Sequence, residues 1–401
     1  EAYIVEKNPY LGGRVAQINK YFWKLCPPNC GLEIQFKRIK NNPRVTMYTL
    51  AEVESISGEE GNFDVKLKLN PRYVNDKCVG CDACAQACPS YRSNDFNFGM
   101  NKTKAAYLPF EQAFPFKYVI DGATCPKDCM KPCLEACKYA AKCVAACKYA
   151  AIDLDMKPET ISLKVGAVVL ATGWNPYDMN KLDILGAGKM QNVITNMMLE
   201  RLASVDGPTQ GKIVRPSDGK EVKNIAFVQC AGSRDENHLK YCSYICCLAS
   251  LKHAMYMREQ YPDSKVRIFY IDIRTPGLYE NRFYWKIKDD PNVIFTKGKV
   301  AGITEDAVTK DVTVEVEDIY GAGKIKVTFD MVVLATGMDL TTKGSKVGTD
   351  ISYTPDGLVD DAALKKGIYA VGTLKSPADV ARSVQDATGA VIKCIQSVNR
   401  R

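Results

Sequence analysis

Histidine is nearly absent from the 401-residue chain, which has only His238 and His253. This scarcity nearly excludes zinc sites of the mixed cysteine–histidine type. Long apolar runs are also missing: "VGAVVLATG" (165–173) has the length of a buried strand, well short of the roughly 18 residues that span a bilayer. No signal-peptide pattern precedes the first strand, and no basic stripe concentrates the net charge of +8. We therefore expect no nucleic-acid binding, and contact with a membrane only through partners.

Cysteine is abundant, with 17 residues in clustered positions. The number is odd and the chain is too large to need disulfide bridges for its stability, so a disulfide framework is not indicated. Because there are so few histidines, the remaining possibility is that thiolates alone bind the metal. The composition predicts a reducing compartment and bound metal.

Strands alternate with helices along most of the chain, which predicts α/β architecture with doubly wound dinucleotide-binding domains. A strand is expected over 2–6, a helix from about 243 to 260, and antiparallel strands over 293–329. Ten cysteines and few aliphatic residues mark 77–150 as a ferredoxin-like insertion. The predicted division is a first domain over 1–72, 152–190 and 336–401, the insertion over 73–151, and a second Rossmann-like domain over 191–335.

The insertion opens with "CVGCDACAQACP", in which Cys78, Cys81, Cys84 and Cys88 have the spacing of a bacterial [4Fe–4S] ferredoxin and Pro89 follows. Three thiolates two residues apart on one tight loop can bind three corners of one cluster. The fourth cysteine, before the proline, is expected to serve a second cluster.

The second half of the insertion is less regular, because its cysteines are spaced by three residues where two are expected. Cys147 precedes "KYAAID" and is expected to complete the first cluster beside Cys78, Cys81 and Cys84. Cys88 would then join three of the remaining five, with the spare thiols buried. The predicted metal ligands in this half are Cys125, Cys129, Cys133, Cys137, Cys143 and Cys147.

A further thiol constellation lies in "CAGSRDENHLKYCSYICC". Cys230, Cys242, Cys246 and Cys247 would suffice for one more cluster, and adjacent cysteines make a poor disulfide pair. The alternative is a set of core cysteines on a helix. Two to three [4Fe–4S] clusters are therefore predicted for the chain.

The start of the sequence is typical of a flavin-binding fold. "YIVEK" followed by "LGGR" fits the second strand of a dinucleotide-binding domain, where Glu6 would accept hydrogen bonds from ribose hydroxyls. Two "ATG" strands and "YAVGT" (369–373) add glycine turns at strand ends. The predicted cofactor-binding residues are Glu6, Lys7, Gly12, Gly13, Arg14, Val53, Ala171, Thr172, Gly173, Gly337, Gly372 and Thr373.

Two glycine-rich turns are absent from this pattern. The G-x-G-x-x-G turn expected about 25 residues before Glu6 is missing, so we expect the sequence to lack its N-terminal strand. The turn after 224–229 carries Cys230 where a reductase that binds NAD(P)H has glycines. This substitution argues against a stand-alone nicotinamide reductase, which remains an alternative together with a structural zinc-binding module.

These motifs together resemble the HdrA family, the iron–sulfur flavoproteins of heterodisulfide reductase. The resemblance rests on "VEKNPYLGGR", "CVGCDACAQACP", "GAVVLATGW", "CSYICC" and "VGTLKSPADVARSV". It implies an FAD protein with a thioredoxin-reductase-like core. Large members carry a further C-terminal ferredoxin domain, whereas this sequence stops at Arg401. In its shortness the sequence resembles the HdrA-like flavoproteins of quinone-interacting membrane-bound oxidoreductase complexes.

The resemblance also implies roles for individual residues. Lys252 matches a lysine near the isoalloxazine ring, where a cation would stabilise reduced, anionic flavin. The alternative is a surface lysine on a helix. Cys26 and Cys30 match a cysteine pair whose role, ligation, packing or redox cycling, stays open.

The function implied is an electron-transfer subunit on the cytoplasmic face of the membrane, not dependent on NAD(P)H. Its partners would be a second related flavoprotein and a haem-bearing membrane subunit, with electrons passing between menaquinol and an acceptor such as adenylylsulfate reductase. The alternative is a flavin-based electron-bifurcating subunit of a heterodisulfide reductase-type complex.

Overall fold

The predicted α/β architecture is confirmed in a computed structural model of the chain. The structure describes residues 1–22, 24–125, 140–277, 280–321, 323–347 and 351–399. Twenty-one strands and seven α-helices of the described residues form two α/β domains and an inserted segment.

The first domain begins with a parallel pair of strands, β1 (Ala2–Glu6) and β2 (Val45–Thr49). Helix α1 (Asn29–Asn41) connects them and follows Pro27 and Pro28, since proline is favoured where a helix starts and its N–H would lack a partner anyway. A parallel connection of this kind needs a helical crossover, which this arrangement supplies.

An antiparallel sheet follows in the order β3–β4–β9, formed by Ala51–Glu59, Asn62–Leu69 and Glu159–Val165. Strand β4 alternates buried Phe63, Val65 and Leu67 with polar residues, so one face packs and the other meets solvent. The buried face packs against Leu170 and Leu374 in the core of the first domain.

The insertion leaves the sheet after β4 and returns before β9. Val74 and Ile152 form an antiparallel bridge that closes its base. The elements of the insertion are α2 (Ala83–Ala87), β5 (Tyr91–Ser93), β6 (Lys102–Lys104), β7 (Ala106–Tyr107), β8 (Val119–Ile120) and α3 (Ala140–Ala146). Each is short, so the thiols and a small apolar group form much of its core.

The second domain contains a five-stranded parallel sheet in the order β12–β19–β13–β14–β15. All six residues of its inner strand β19 are buried, as expected for a parallel sheet covered on both faces. Its strands are β12 (Val193–Thr195), β13 (Asn224–Ala231), β14 (Lys265–Tyr270), β15 (Val293–Lys297) and β19 (Met331–Thr336), and its helices are α4 (Asn196–Ala203), α5 (Cys246–Gln260) and α6 (Trp285–Lys288).

One strand prediction was wrong in the second domain. Strand β15 pairs parallel with β14, although the region was predicted to be antiparallel throughout. Only β16 (Val300–Glu305), β17 (Val312–Asp318) and β18 (Gly323–Phe329) form the antiparallel sheet. A strand of five residues shows no alternation long enough to reveal its partner.

The chain then returns to the first domain. Strand β20 (Met338–Leu340) pairs with β11 (Trp174–Pro176) where the domains meet. Strand β21 (Ile368–Ala370) pairs parallel with β10 (Val168–Leu170), and α7 (Val380–Asn399) follows. Among the described residues, no helix combines the length and apolarity needed to cross a membrane.

Candidate functional site

A cavity of about 1010 Å³ lies in the first domain where several strands end. We call it the cofactor cavity. Its volume is at the upper end of the range of about 300–1,000 Å³ for ligand sites. Of the predicted cofactor-binding residues, it is lined by Glu6, Lys7, Gly13, Arg14, Val53, Ala171, Thr172, Gly173, Gly372 and Thr373.

Glu6 stands at the end of β1 with its carboxylate at the cavity. Oε1 accepts hydrogen bonds from the backbone N–H of Asn8 at 2.8 Å and from its side-chain amide at 2.9 Å. Burial raises the pKa of Glu6, and these bonds partly oppose the shift. With both bonds on Oε1, Oε2 is the oxygen that suits hydroxyl donors of a ligand.

Gly13 and Gly173 allow close approach to the backbone. Both have a left-handed conformation, with φ of +50° and +75°, and a Cβ at either position would have no atom within 4 Å. A side chain there would therefore extend into the cavity rather than into protein. Glycine suits both the conformation and the space a cofactor needs.

Arg14 is held at the inner end of the cofactor cavity. Its Nε donates to the carbonyl oxygen of Trp174 at 3.2 Å and its Nη1 to Oε1 of Gln17 at 2.9 Å, while Nη2 bonds the Asn175 side chain. Burial lowers the pKa of the arginine. The fixed guanidinium places a positive charge beside the cavity.

A second, mostly apolar pocket of about 90 Å³ continues from this end; we call it the lysine pocket. Arg14, Trp174 and Asp379 line both spaces. The second domain contributes Lys252, which is only 2% exposed, so it is not the surface lysine of the alternative interpretation. The lysine and the predicted flavin-binding residues thus meet at one junction.

The Lys252 ammonium is held by three groups. Its Nζ lies 2.6 Å from Glu200 Oε1, donates to the carbonyl oxygen of Lys20 at 2.6 Å, and lies 4.9 Å from the ring centroid of Phe22. Burial lowers the pKa of Lys252, and Glu200 opposes the shift.

Glu200 was missed by the sequence interpretation. It lies on α4, buried, and its Oε1 also lies 2.6 Å from Nε2 of His253. Burial acts to raise the pKa of Glu200, but Lys252 and His253 overcome this and lower it to about 2. One sequence feature could have pointed to Glu200: it is an ionisable residue within the largely apolar segment "NMMLERLA".

Two glycines predicted to bind cofactor do not line the cofactor cavity. Gly12 faces Ala16 and Leu32 inside the first domain. Gly337 lies in the second domain, where a Cβ would overlap the hydroxyl oxygens of Ser233 and Ser243. It therefore lies against the segment between Cys230 and Cys242 and does not line the cofactor cavity.

Four cysteines of the insertion surround one small cavity: Cys78, Cys81, Cys84 and Cys147. We call them the first thiol group. They are the set predicted for the first cluster. Burial, and then the neighbouring Cys78, raises the pKa of Cys84 to about 12. Four thiols around one space are the donor set that a [4Fe–4S] cluster takes.

A second thiol group comprises Cys88, Cys125 and Cys143. Burial raises the pKa of Cys125, and Cys143 and Cys88 raise it further. All three side chains pack in the core of the insertion, which they share with Cys84 of the first thiol group. The predicted ligands Cys129, Cys133 and Cys137 lie outside the described residues.

The third thiol group comprises Cys230, Cys242, Cys246 and Cys247. Burial raises the pKa of Cys246 well above its usual value, and the other three thiols raise it further. Cys230 lies within a bulge at the end of β13 and has φ of +56°, while Cys246 and Cys247 begin α5. The end of a strand and the start of a helix thus bring together thiols that are 17 positions apart.

No three cysteine, histidine or acidic side chains among the described residues converge as ligands of a single metal ion. Cluster ligation does not require such convergence, because each thiolate binds a different iron. Cys26 lies just before α1, and Cys30 lies in its first turn. The hydrogen bond that the Tyr21 hydroxyl donates to the sulfur of Cys26 is the main cause that raises the pKa of Tyr21.

The fold and the grouped thiols define an α/β protein of the dinucleotide-binding class with an inserted iron–sulfur segment. A family model described as "4Fe-4S binding domain" matches residues 71–91. Over nearly its whole length, the chain is a sequence relative of the HdrA iron–sulfur proteins of heterodisulfide reductase.

Two curated relatives illustrate this similarity. The second HdrA-type iron–sulfur subunit of the CoB–CoM heterodisulfide reductase of Methanopyrus kandleri is 37% identical over 98% of this chain and 60% of the relative. The HdrA-type subunit of the H2/formate:CoB–CoM heterodisulfide,ferredoxin reductase of Methanococcus maripaludis is 36% identical over 97% and 59%. The chain thus spans about 60% of the length of these relatives.

Solved structures similar to this chain include two thioredoxin reductases. The enzyme of Lactococcus lactis is 10% identical over 99% of this chain and 98% of that one, with a TM-score of 0.48. The enzyme of T. acidophilum is 14% identical over 99% and 88%, with a TM-score of 0.47.

Proposed function

We propose that the chain is an FAD- and [4Fe–4S]-containing electron-transfer subunit of a heterodisulfide reductase-type complex, and thus an oxidoreductase. The observation that carries the proposal is the position of α5. This helix begins with two cysteines of the third thiol group and places Lys252 in the pocket that continues from the cofactor cavity. Lys252 follows Cys247 by five positions, a rise of about 7.5 Å along the helix.

The residues of the cofactor cavity suit FAD. Glu6 offers a carboxylate oxygen to ribose hydroxyls, and Gly13 and Gly173 let the backbone approach closely. Lys252 offers a cation at the inner end. When bound, the flavin exchanges electrons in pairs and the clusters exchange them singly, so the flavin serves as a two-electron junction.

The thiol groups suit at least two clusters. The first and third groups each supply four cysteines, and Cys88, Cys125 and Cys143 would need one more ligand for a further cluster. Cys129, Cys133 and Cys137 are the predicted sources of that ligand. This gives two to three [4Fe–4S] clusters in the chain.

The end of β13 supports a route that does not use nicotinamide. It carries Cys230 of the third thiol group where a reductase that binds NAD(P)H has a glycine-rich turn. Electrons would therefore enter and leave through clusters. Bleaching of the flavin by NADH would contradict this part of the proposal.

The complex is proposed to be hetero-oligomeric and related to heterodisulfide reductase. The M. maripaludis relative has both a heterodisulfide and a ferredoxin in its name, which pairs two acceptors. We propose that the complex containing this chain likewise passes electrons from one flavin to two different acceptors, which is electron bifurcation. The narrower proposal, in which a haem-bearing membrane subunit links menaquinol to adenylylsulfate reductase, is supported only by the sequence resemblance.

A comparison of electron donors separates these two complexes. Full-length protein is purified anaerobically with its partners and exposed to a menaquinol analogue, or to hydrogen or formate together with ferredoxin. We expect flavin and cluster reduction with the second set. Reduction by the menaquinol analogue alone would favour the quinone-linked complex.

The cofactor content tests the proposal as a whole. Iron, sulfide and flavin analysis of anaerobically purified full-length protein should give one FAD and two to three clusters per chain. Electron paramagnetic resonance (EPR) of the reduced protein should show the matching signals. A preparation without iron and flavin would contradict the proposal.

A further inference from the structure

The third thiol group contacts the segment that follows β14. The thiol of Cys247 donates to the backbone carbonyl oxygen of Asp272, with 3.6 Å between sulfur and oxygen. Burial raises the pKa of Cys247 to about 11, and a hydrogen bond from the backbone N–H of Arg274 opposes that rise. This segment therefore forms one side of the third thiol group.

Arg234 is held against the same segment. Its Nη1 lies 2.8 Å from Oδ2 of Asp272, the residue whose carbonyl oxygen contacts Cys247. The backbone of Arg234 is fixed as well, because its φ is +54° and its N–H donates to the carbonyl oxygen of Tyr241 at 3.1 Å. The guanidinium thus has a defined position beside the third thiol group.

The guanidinium of Arg234 also acts on Cys230. Burial raises the pKa of the Cys230 thiol, and the charge of Arg234 and a hydrogen bond from its guanidinium oppose that rise. A hydrogen bond from a cation stabilises the thiolate, which is the form that binds metal. Arg234 therefore favours the state in which Cys230 can bind iron.

A buried amide without a partner precedes Cys230. Gln229 is 6% exposed, and neither Nε2 nor Oε1 has a hydrogen-bond partner among the described residues. Two positions earlier, Phe227 faces α5 with its ring centroid 6.1 Å from that of His253, so strand alternation places Gln229 on the α5 face as well. Helix α5 runs from the end of β13 back towards the start of the parallel strand β14, so this is the end of the helix that carries Cys246. Sulfur atoms of a bound cluster would satisfy the amide N–H.

We propose that Arg234 and Gln229 set the reduction potential of the cluster held by the third thiol group, by donating hydrogen bonds to its sulfur atoms. The inference rests on the proposed function, in which this group binds a [4Fe–4S] cluster. Reduction adds one electron, supplied by the flavin, and increases the negative charge by one, with no bond formed or broken. A cation and N–H donors stabilise the more negative form, so both residues raise the potential.

The test is a redox titration of the full-length holoprotein with Arg234→Met, followed through the EPR signal that Cys246→Ser removes. We expect the equilibrium constant for one-electron reduction of this cluster to fall at least about tenfold, a shift of about 59 mV to lower potential. The clusters of the insertion should keep their potentials, which separates a local effect from a general loss of structure. Arg234→Lys keeps the charge without the planar donor fork and should give a smaller fall.

Gln229→Leu tests the amide. Leucine removes both polar atoms at similar side-chain size, so the iron content should be retained. The equilibrium constant should fall by a smaller factor than in Arg234→Met, because the lost donor carries no charge. An unchanged potential in Gln229→Leu would remove this residue from the proposal.

The matched control is Arg38→Met, which removes the charge of an exposed arginine on α1. Its titration should match that of the wild type. A wild-type protein without the signal that Cys246→Ser removes would contradict the proposed function. If the signal is present and Arg234→Met has the potential of the control, the role of Arg234 is wrong. If Arg234→Met loses iron, an unchanged potential in Arg234→Lys overturns the role in the same way.

Discussion

Glu200 lies 2.6 Å from Lys252, carboxylate oxygen to ammonium nitrogen, with both side chains about 3% exposed. The same oxygen contacts His253. A buried ammonium is costly unless a carboxylate balances it, so Glu200 keeps Lys252 charged where the cofactor cavity ends. The pair joins α4 and α5 of the second domain to a pocket shared with the first.

Replacement of Lys252 should change the flavin potential. In Lys252→Met the reduced flavin loses a cation worth about 1.5–3 kcal/mol, the value of a hydrogen bond to a charged group. For a two-electron couple this lowers the midpoint potential by roughly 30–60 mV. Spectroelectrochemical titration measures the shift, and cluster EPR signals should be unchanged. An unaltered potential would remove Lys252 from its proposed position.

The control for this variant is Lys286→Met, an exposed lysine on α6. It removes the same charge outside the lysine pocket. The flavin potential of this variant should match that of the wild type.

Glu200→Gln should destabilise the fold in a pH-dependent way. The pKa of Glu200 is about 2 in the folded protein, below its usual value of 4.5, so its stabilising effect is complete above about pH 4.5 and is lost as the pH falls towards 2. At pH 7 the variant leaves Lys252 without its counter-charge, which costs about 3–5 kcal/mol. The thermal unfolding midpoint should therefore be lower than that of the wild type at pH 7 and nearly equal at pH 2.

Glu259→Gln is the matched control, because Glu259 is an exposed carboxylate on α5, the helix that carries Lys252. Its unfolding midpoint should stay close to that of the wild type at both pH values. An equal loss for Glu200→Gln at pH 7 and pH 2 would show that the charge of Glu200 is not the cause.

Serine substitutions should separate two clusters in the insertion. Cys81→Ser removes a ligand of the first thiol group, and Cys88→Ser removes one from the second. Each should alter a different EPR signal and cost up to about four irons per molecule. Cys394→Ser, on α7, is the control and should alter neither. Loss of the same signal in both variants would mean that the two groups bind one cluster.

Gly337→Ala should affect the third thiol group rather than the flavin. The new methyl group would displace Ser233, which lies between Cys230 and Cys242 in the sequence, and Ser243, which directly follows Cys242. The EPR signal lost in Cys246→Ser should therefore be weakened or shifted in Gly337→Ala, with flavin content retained. Gly389→Ala, at a helical position with open space, should behave as wild type. Loss of flavin with an intact signal would support a cofactor-binding role for Gly337, as the sequence predicts.

The first thiol group could be predicted from the sequence because ferredoxin motifs are local. Cys78, Cys81 and Cys84 lie on one loop, and the reciprocal pattern of such motifs indicated Cys147. The cofactor cavity was also predictable from local motifs. Glycine turns such as the one at Gly173 lie at the ends of strands, and the cavity is formed where those strands end.

Other features depend on packing between distant segments. The burial of Glu200 arises where α4 packs on α5, and no local pattern shows which carboxylate a lysine 52 residues away will meet. The structure places Gly337 against Ser233 and Ser243, whereas the sequence predicts it beside the cofactor. The motif "ATG" ends a strand in both domains, at 171–173 and 335–337, and does not by itself show which domain it belongs to.

The rigidity of helix α5 fixes the distance between two of the features described above. Cys247 and Lys252 belong to the same rigid rod, so the separation between the third thiol group and the ammonium is set by helix geometry. Arg14 and Trp174 belong to the other domain. A hinge rotation between the domains would move the lysine away from the arginine, while helix α5 would keep its two thiols and its ammonium group at a fixed separation.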